Sequence, residues 1–362
     1  MYLGNFELYN IAELLHGSGL SVLQANAKAA IAAGQLSEAV WADEDDEGRW
    51  LSRLPEMLRT KLNAHAQVNA LQTTGAEIRF THLSGPVHLS LKTAQAPSIL
   101  EVYYGPFFSS WHAVGTSATQ LEILPPANLD ELARISTERG LPFDAHLCRI
   151  LLPWRPPCHL IALEGDVVPP REDQVPKNRY LAYGSSITHG NHGMRPSGNW
   201  AFRLAQLLGV DLINLGFGAG AYLESEIADY IASREDWDYM TAEFGINLIE
   251  HLPLEQFAHR VDDFLSRLVP SLSGRKLFVI DMFGHFRDFR TEMENAPAYR
   301  AIVESAVRQL AHPNIIHVRG LELLSSPEHL TADLLHPSPA GMEEIARNLS
   351  PVISHNHEAE YN

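Results

Sequence analysis

Residues 180–190 read YLAYGSSITHG. An apolar run stops at Gly184, and Ser185, Ser186, Thr188, His189 and Gly190 follow within six positions. This is how a buried strand runs into a helical turn. Serine is a common helix N-cap, so Ser186 alone reads most simply as a cap. The same position also exposes a hydroxyl beside backbone N–H groups that have no intrahelical acceptor, which suits a nucleophile. The α/β-hydrolase elbow Gly-x-Ser-x-Gly is not met, because Thr188 stands where its second glycine would be.

Downstream, strand and helix patterns alternate. RYLAYG, DLINLG, DYMTAEFG, KLFVIDMF and NIIHV read as strands. Helices are expected at 200–209, about 222–232, about 254–269, about 296–311 and about 338–351. Five strands alternating with helices imply a three-layer α/β/α domain around a parallel sheet. Sites in such sheets lie at the carboxyl ends of the strands.

Upstream the pattern differs. AEIRFTHL, PVHLSLKT, SILEVYYG, TQLEILPP, CRILLPW and HLIALEGDVV are short strand patterns between Gly, Pro and Ser breaks. They predict an antiparallel β-sandwich of jelly-roll type, with helices at about 22–33 and 55–65. The expected division is a sandwich domain over 1–170, a Pro-rich charged linker over 171–177, and the α/β domain over 178–362. The acidic block at 42–48 reads as a solvated loop, since it lacks the turn residues of a calcium loop.

With 45% hydrophobic and 20% charged residues, the 362-residue chain has an ordinary globular composition. A net charge of -17 argues against nucleic acid and anionic membranes as partners. The two cysteines, Cys148 and Cys158, lie in apolar surroundings and read as buried thiols. MYLGNFELYN lacks a signal-peptide pattern and no apolar run is long enough to span a membrane, so a cytoplasmic protein is the expectation. Edge strands in the first half would allow a homo-oligomer.

Four stretches at strand ends or late loops carry chemistry: GSSITHG, NLGFGAGAYLE, FGINLIE and ADLLHPSPAG. Asp333 and His336, spaced Asp-x-x-His, can face one way on a turn, the acid holding one ring nitrogen and leaving the other as base. His336 also reads as an ordinary surface-loop histidine, one of 18 in the chain. Candidate oxyanion donors are the Ser186 N–H, the backbone of the GFGAG loop and the Asn247 amide. GFGAG does not fit the Gly-x-Gly-x-x-Gly dinucleotide pattern. Trp200, Tyr222, Phe217 and Arg195 are candidate pocket residues, with Trp200 equally readable as core of its helix. His189 and His192 could suggest a metal, but they stand beside a serine site that needs none.

In this order the four stretches resemble the SGNH (GDSL-type) hydrolases. The resemblance covers about 175–352. It implies Ser186 as nucleophile, Asp333 and His336 as its partners, Gly218 or Ala219 as backbone oxyanion donor and Asn247 as side-chain donor. Three departures stand out: Ser185 where the family has aspartate, Leu248 where it has an acid, and Ala219 where a glycine is expected. The N-terminal half is similar to the sandwich of a two-domain bacterial subgroup, whose members resemble carbohydrate esterases. The resemblance therefore implies a cofactor-free esterase acting on a small-molecule or oligosaccharide ester, short acyl groups first. A general short-chain esterase or lipase is the alternative, and an inactive sugar-binding protein a third reading.

Overall fold

The computed structural model describes residues 1–16, 48–290 and 295–358. The chain divides into two units, Met1–Lys177 with Arg195–Ser197, and Asn178–Met194 with Gly198–Asn362. The helix expected at 22–33 and nearly all of the acidic block lie outside the described residues.

In the first unit the strands are β1 (Tyr2–Leu3), β2 (Phe6–Tyr9), β3 (Glu13–Leu15), β4 (Arg49–Ser52), β5 (Glu77–Thr93), β6 (Ser98–Tyr104), β7 (Phe107–Val114), β8 (Thr119–Ile123), β9 (Leu147–Leu151) and β10 (Cys158–Val168). Every pairing among them is antiparallel. The long strand β5 organises the unit. Its first part pairs with β2 and β9, and its last part with β8, while β10 runs along most of its length. The sequence suggests two strands here, split at Gly85-Pro86. Instead the chain continues, and the extra residues form an irregularity opposite Gly165. Gly85 has φ +64°, which glycine adopts without steric cost, and Pro86 lacks the N–H that regular pairing would use. Bulges of this kind bend a strand and increase its twist. Inward-facing Ile78, Phe80, Leu89, Leu91, Val102 and Ile150 form the core.

Other expectations shift. The single helix at 55–65 is two short ones, Glu56–Arg59 and Ala64–Asn69, because Asn63 caps the second by accepting the Ala66 N–H. β7 and the helix Leu129–Arg139 had not been expected. The 171–177 stretch is no free linker: Gln174 is buried and bonds Thr81 of β5.

The second unit is the expected α/β/α domain. Its strands are β11 (Arg179–Gly184), β12 (Asp211–Gly216), β13 (Tyr239–Glu243), β14 (Lys276–Ile280) and β15 (Ile315–Val318). They lie in the order β12-β11-β13-β14-β15, all parallel. The helices run Trp200–Leu208, Ser225–Ser233, Leu254–Leu268, Ala296–Leu310 and Pro339–Glu358. The last continues through Pro351, where the sequence pattern had suggested its end. From β11 the chain goes first to one neighbour, β12, and then to the other, β13. The reversal opens a crevice at the carboxyl end of β11, where GSSITHG begins. Among the described residues, no helix is long and apolar enough to cross a membrane.

Cys148 and Cys158 are both fully buried. Burial raises both thiols, that of Cys158 to about 12. The native protein is expected to leave Ellman's reagent unreacted over minutes and to titrate two thiols once denatured. Fast reaction of either thiol under native conditions would contradict this burial.

Candidate active site

Ser185 and Ser186 divide the two readings of the opening stretch between them. Ser185, not Ser186, caps the short helix Ser186–His189, its hydroxyl accepting the Ile187 N–H at 3.1 Å. Ser186 is thereby the first helical residue, and its N–H lies beyond reach of an intrahelical acceptor. Its hydroxyl is 2.8 Å from His336 Nε2.

His336 Nδ1 lies 2.7 Å from Asp333 Oδ2. A carboxylate only accepts, so Nδ1 carries the proton and Nε2 is left to accept from Ser186. The loop that presents this pair is tightly specified. Asp333 Oδ1 accepts the Thr331 hydroxyl at 2.7 Å and the N–H groups of Leu335 and His336 at 2.8 and 3.0 Å. Leu334 takes φ +53°, and its carbonyl receives the Phe286 N–H at 2.6 Å. Burial works against the charged form of Asp333, but the bonds from His336, Thr331 and Leu335 prevail and hold its carboxyl well below the usual range. The Asp-x-x-His spacing thus folds as a turn in which the acid's two oxygens do separate tasks. Oδ1 fixes the loop and Oδ2 fixes the ring.

Asn247 lies on the turn after β13. Its Oδ1 accepts the Ala221 N–H at 3.2 Å, which leaves its Nδ2 directed away from that amide. The bond ties this turn to the GFGAG loop after β12. Within that loop the Phe217 N–H donates to Gly184 O at 2.8 Å and the Gly220 N–H to Phe217 O at 3.0 Å. Ala219 is exposed with φ +54°, and Gly218 is half-buried beside it. Asn214 supports the loop from below, donating to Thr188 O at 2.9 Å and accepting the Gly216 N–H at 2.8 Å.

The pocket candidates fare differently. Trp200 is fully buried against Phe283, so the core reading holds and it lines no open pocket. Phe217 is equally buried, packing toward Tyr183, and is also removed from the pocket set. Both are apolar and cost less under the sheet than at a wet rim. Arg195 groups with the first unit, 3.7 Å from Glu101. Tyr222 is half-buried, its ring 6.0 Å from that of His251.

The two histidines raised for a metal separate. His189 is buried with Nδ1 3.0 Å from Gly216 O. His192 lies at the rim, its Nε2 3.9 Å from Asp333 Oδ2 and its ring 5.0 Å from that of His336. Among the described residues, His192, Asp333 and His336 form one group whose ligand atoms lie within 4.8 Å of each other. Two members of that group already bond each other in the Ser186 line.

Near the site, Glu243 escaped sequence reading, and Thr188 was read only as a departure from the hydrolase elbow. Thr188 and Glu243 meet behind the Ser185–Ser186 turn. Glu243 sits in a mostly apolar strand run, YMTAEF, and an acid inside a buried strand is the signal that was there to find.

Residues 182–344 match the model of the GDSL-like Lipase/Acylhydrolase family. No curated protein matches the chain by sequence. Among solved structures, the salicylyl-acyltransferase SsfX3 from a tetracycline biosynthetic pathway is similar over 97% of this chain and 94% of its own, at 15% identity and a TM-score of 0.74. A carbohydrate esterase family 2 enzyme with a carbohydrate-binding domain, from Myceliophthora fergusii, is similar over 80% of this chain and 95% of its own, at 12% identity and a TM-score of 0.60. An acetyl xylan esterase of the rumen bacterium Butyrivibrio proteoclasticus is similar over 78% and 90%, at 12% identity and a TM-score of 0.51. At such identities these likenesses speak for the fold. The family match, which spans a little under half of the chain, marks residues 182–344 as a GDSL-like lipase/acylhydrolase domain, a hydrolase of carboxylic esters.

Proposed function

We propose that this protein is a serine esterase that removes short acyl groups, acetyl first, from carbohydrate esters. One observation carries the catalytic part: the unbroken line from Ser186 Oγ to His336 Nε2 at 2.8 Å and from His336 Nδ1 to Asp333 Oδ2 at 2.7 Å.

In this reading Ser186 Oγ attacks the ester carbonyl carbon while His336 Nε2 takes its proton. Asp333 stays ionised and stabilises the imidazolium. The negative charge formed on the carbonyl oxygen is met by the Ser186 N–H, a backbone N–H at 218–219 and Asn247 Nδ2. As the tetrahedral centre collapses, the bond to the sugar oxygen breaks and His336 returns the proton to it. A water then enters by the same route, His336 again acting as base. It releases the acid and restores Ser186.

The carbohydrate part rests on the family 2 carbohydrate esterase and the acetyl xylan esterase among structures of this fold. The likeness to a salicylyl-acyltransferase over almost the whole chain favours a second reading. The same acyl-enzyme can be discharged by an alcohol in place of water, which makes the protein an acyltransferase. Both readings share every step up to the acyl-enzyme.

Three outcomes are expected. Ser186→Ala should lower kcat on p-nitrophenyl acetate by roughly 10⁴-fold or more with the fold intact by circular dichroism. A rate within tenfold of wild type would remove Ser186 from the chemistry. Asn247→Ala should lower kcat by about 10²–10³ with KM little changed, and a near-normal rate would exclude it as a donor. In a panel of acetylated xylo-oligosaccharides and nitrophenyl esters of rising chain length, acetylated sugars should give the highest kcat/KM. A preference for long acyl chains would favour a lipase. Products that pass to an added alcohol rather than to water would favour the transferase.

A further inference from the structure

Glu243 is 1% exposed at the end of β13, and the reaction as derived makes no use of it. Strand pairing explains its place. β11 and β13 run in register with Tyr183 opposite Ala242, so Glu243 comes to lie beside Gly184 at the mouth of the nucleophile turn. Its Oε2 accepts the Ser185 N–H at 2.7 Å and the Thr188 hydroxyl at 3.3 Å. Its Oε1 is buried and has no hydrogen-bond partner among the described residues. A side chain on Gly184 would meet Thr188 Oγ1, and would come within 2.7 Å of Glu243 Oε2. The glycine that opens GSSI therefore leaves room for this carboxyl group.

An acid so placed is costly unless its charge is used. Burial prevails and raises its carboxyl above the ordinary range, against the pull of the Ser185 and Thr188 donors and the charge of His336. No lysine or arginine pairs with it among the described residues. The turn it holds touches His336, a group that can become positive, through Ser186.

We propose that Glu243 is a positioning residue for the reaction. Its carboxylate holds the Ser185–Thr188 turn by its donors and adds a second negative charge, beside Asp333, that favours the His336 imidazolium as the proton leaves Ser186. It supplies from β13 a carboxylate that this chain lacks at Ser185. The proposal rests on the Ser186–His336–Asp333 reading.

Glutamine tests the charge, since its amide oxygen can still accept the Ser185 N–H. Glu243→Gln should fold normally, lose at least tenfold in kcat and change KM less than twofold. Removing a negative charge disfavours the imidazolium, so the acid limb of kcat/KM should move to lower pH by 0.5 unit or more. His336 faces Asp333, the His192 ring and Ser186, and Glu243 faces Ser185, Thr188 and the Tyr183 strand. None of these is substituted in the variant, so the difference reports Glu243. The double change Ser185→Asp with Glu243→Gln returns a carboxylate to the turn and should restore the limb. It also serves if the single variant does not fold. The imidazole titration of His336, followed by NMR, reads the same shift without turnover. If wild type hydrolyses no ester, the proposed function fails while this titration still judges Glu243. An unmoved limb and an unmoved titration in Glu243→Gln overturn the proposal, whatever happens to kcat.

Discussion

The bond from His336 Nδ1 to Asp333 Oδ2 decides which nitrogen of the ring meets Ser186. A histidine free to choose its tautomer would present a donor to the serine hydroxyl for part of the time, and a donor cannot take a proton. The loop makes the choice permanent because Asp333 cannot turn: three donors occupy Oδ1 and leave Oδ2 for the ring. A pair only three residues apart in sequence can do this only if the turn between them is rigid. The positive φ at Leu334 and its bond from Phe286 N show how that turn is closed.

The sheet brings Ser186 to this loop across 150 residues. Strand order does the work. β11 lies between β12 and β13, so its carboxyl end is flanked by the loops that follow both. The GFGAG loop and the Asn247 turn therefore reach the same rim as Ser186. The bond from Ala221 N to Asn247 Oδ1 then locks the two loops together. Polar groups held by two elements that brace each other need little reorganisation to meet a bound group.

The sequence displays this rim openly because Ser186 and Asn247 are polar residues that follow apolar strand runs, while Asp333 and His336 stand in an Asp-x-x-His spacing on a late loop. Ser186, Asp333, His336 and Asn247 could be named on that ground, as could all five strands of the second unit. Burial against a neighbouring element leaves no such local mark. Phe217 and Trp200 lie close to the site in sequence yet point into the core, and no pattern of period two or 3.6 marks the direction of a residue in a loop or at a helix start. Arg195 follows Ser186 by nine positions yet belongs to the first unit. In the first unit, Gly85-Pro86 reads as a break because both residues break strands on average, and only pairing with β10 shows that they form a bulge. β7 escaped notice because FFSSWHAV, on an edge strand, lacks clean alternation.

Glu243 shows what motif reading leaves out. Beside Ser186, the family's sequence pattern asks for an acid at one position and finds Ser185. Electrostatics asks only for a negative charge within reach, from whichever strand can provide it. Parallel pairing sets residue 243 beside residue 184, so a carboxylate from β13 reaches the turn that β11 opens. The serine at 185 is then no longer a gap in the pattern, because it caps the helix and its backbone N–H feeds the acid. The two positions form one arrangement. The cap fixes the turn, the buried acid holds the cap, and Gly184 is small enough to let the acid in.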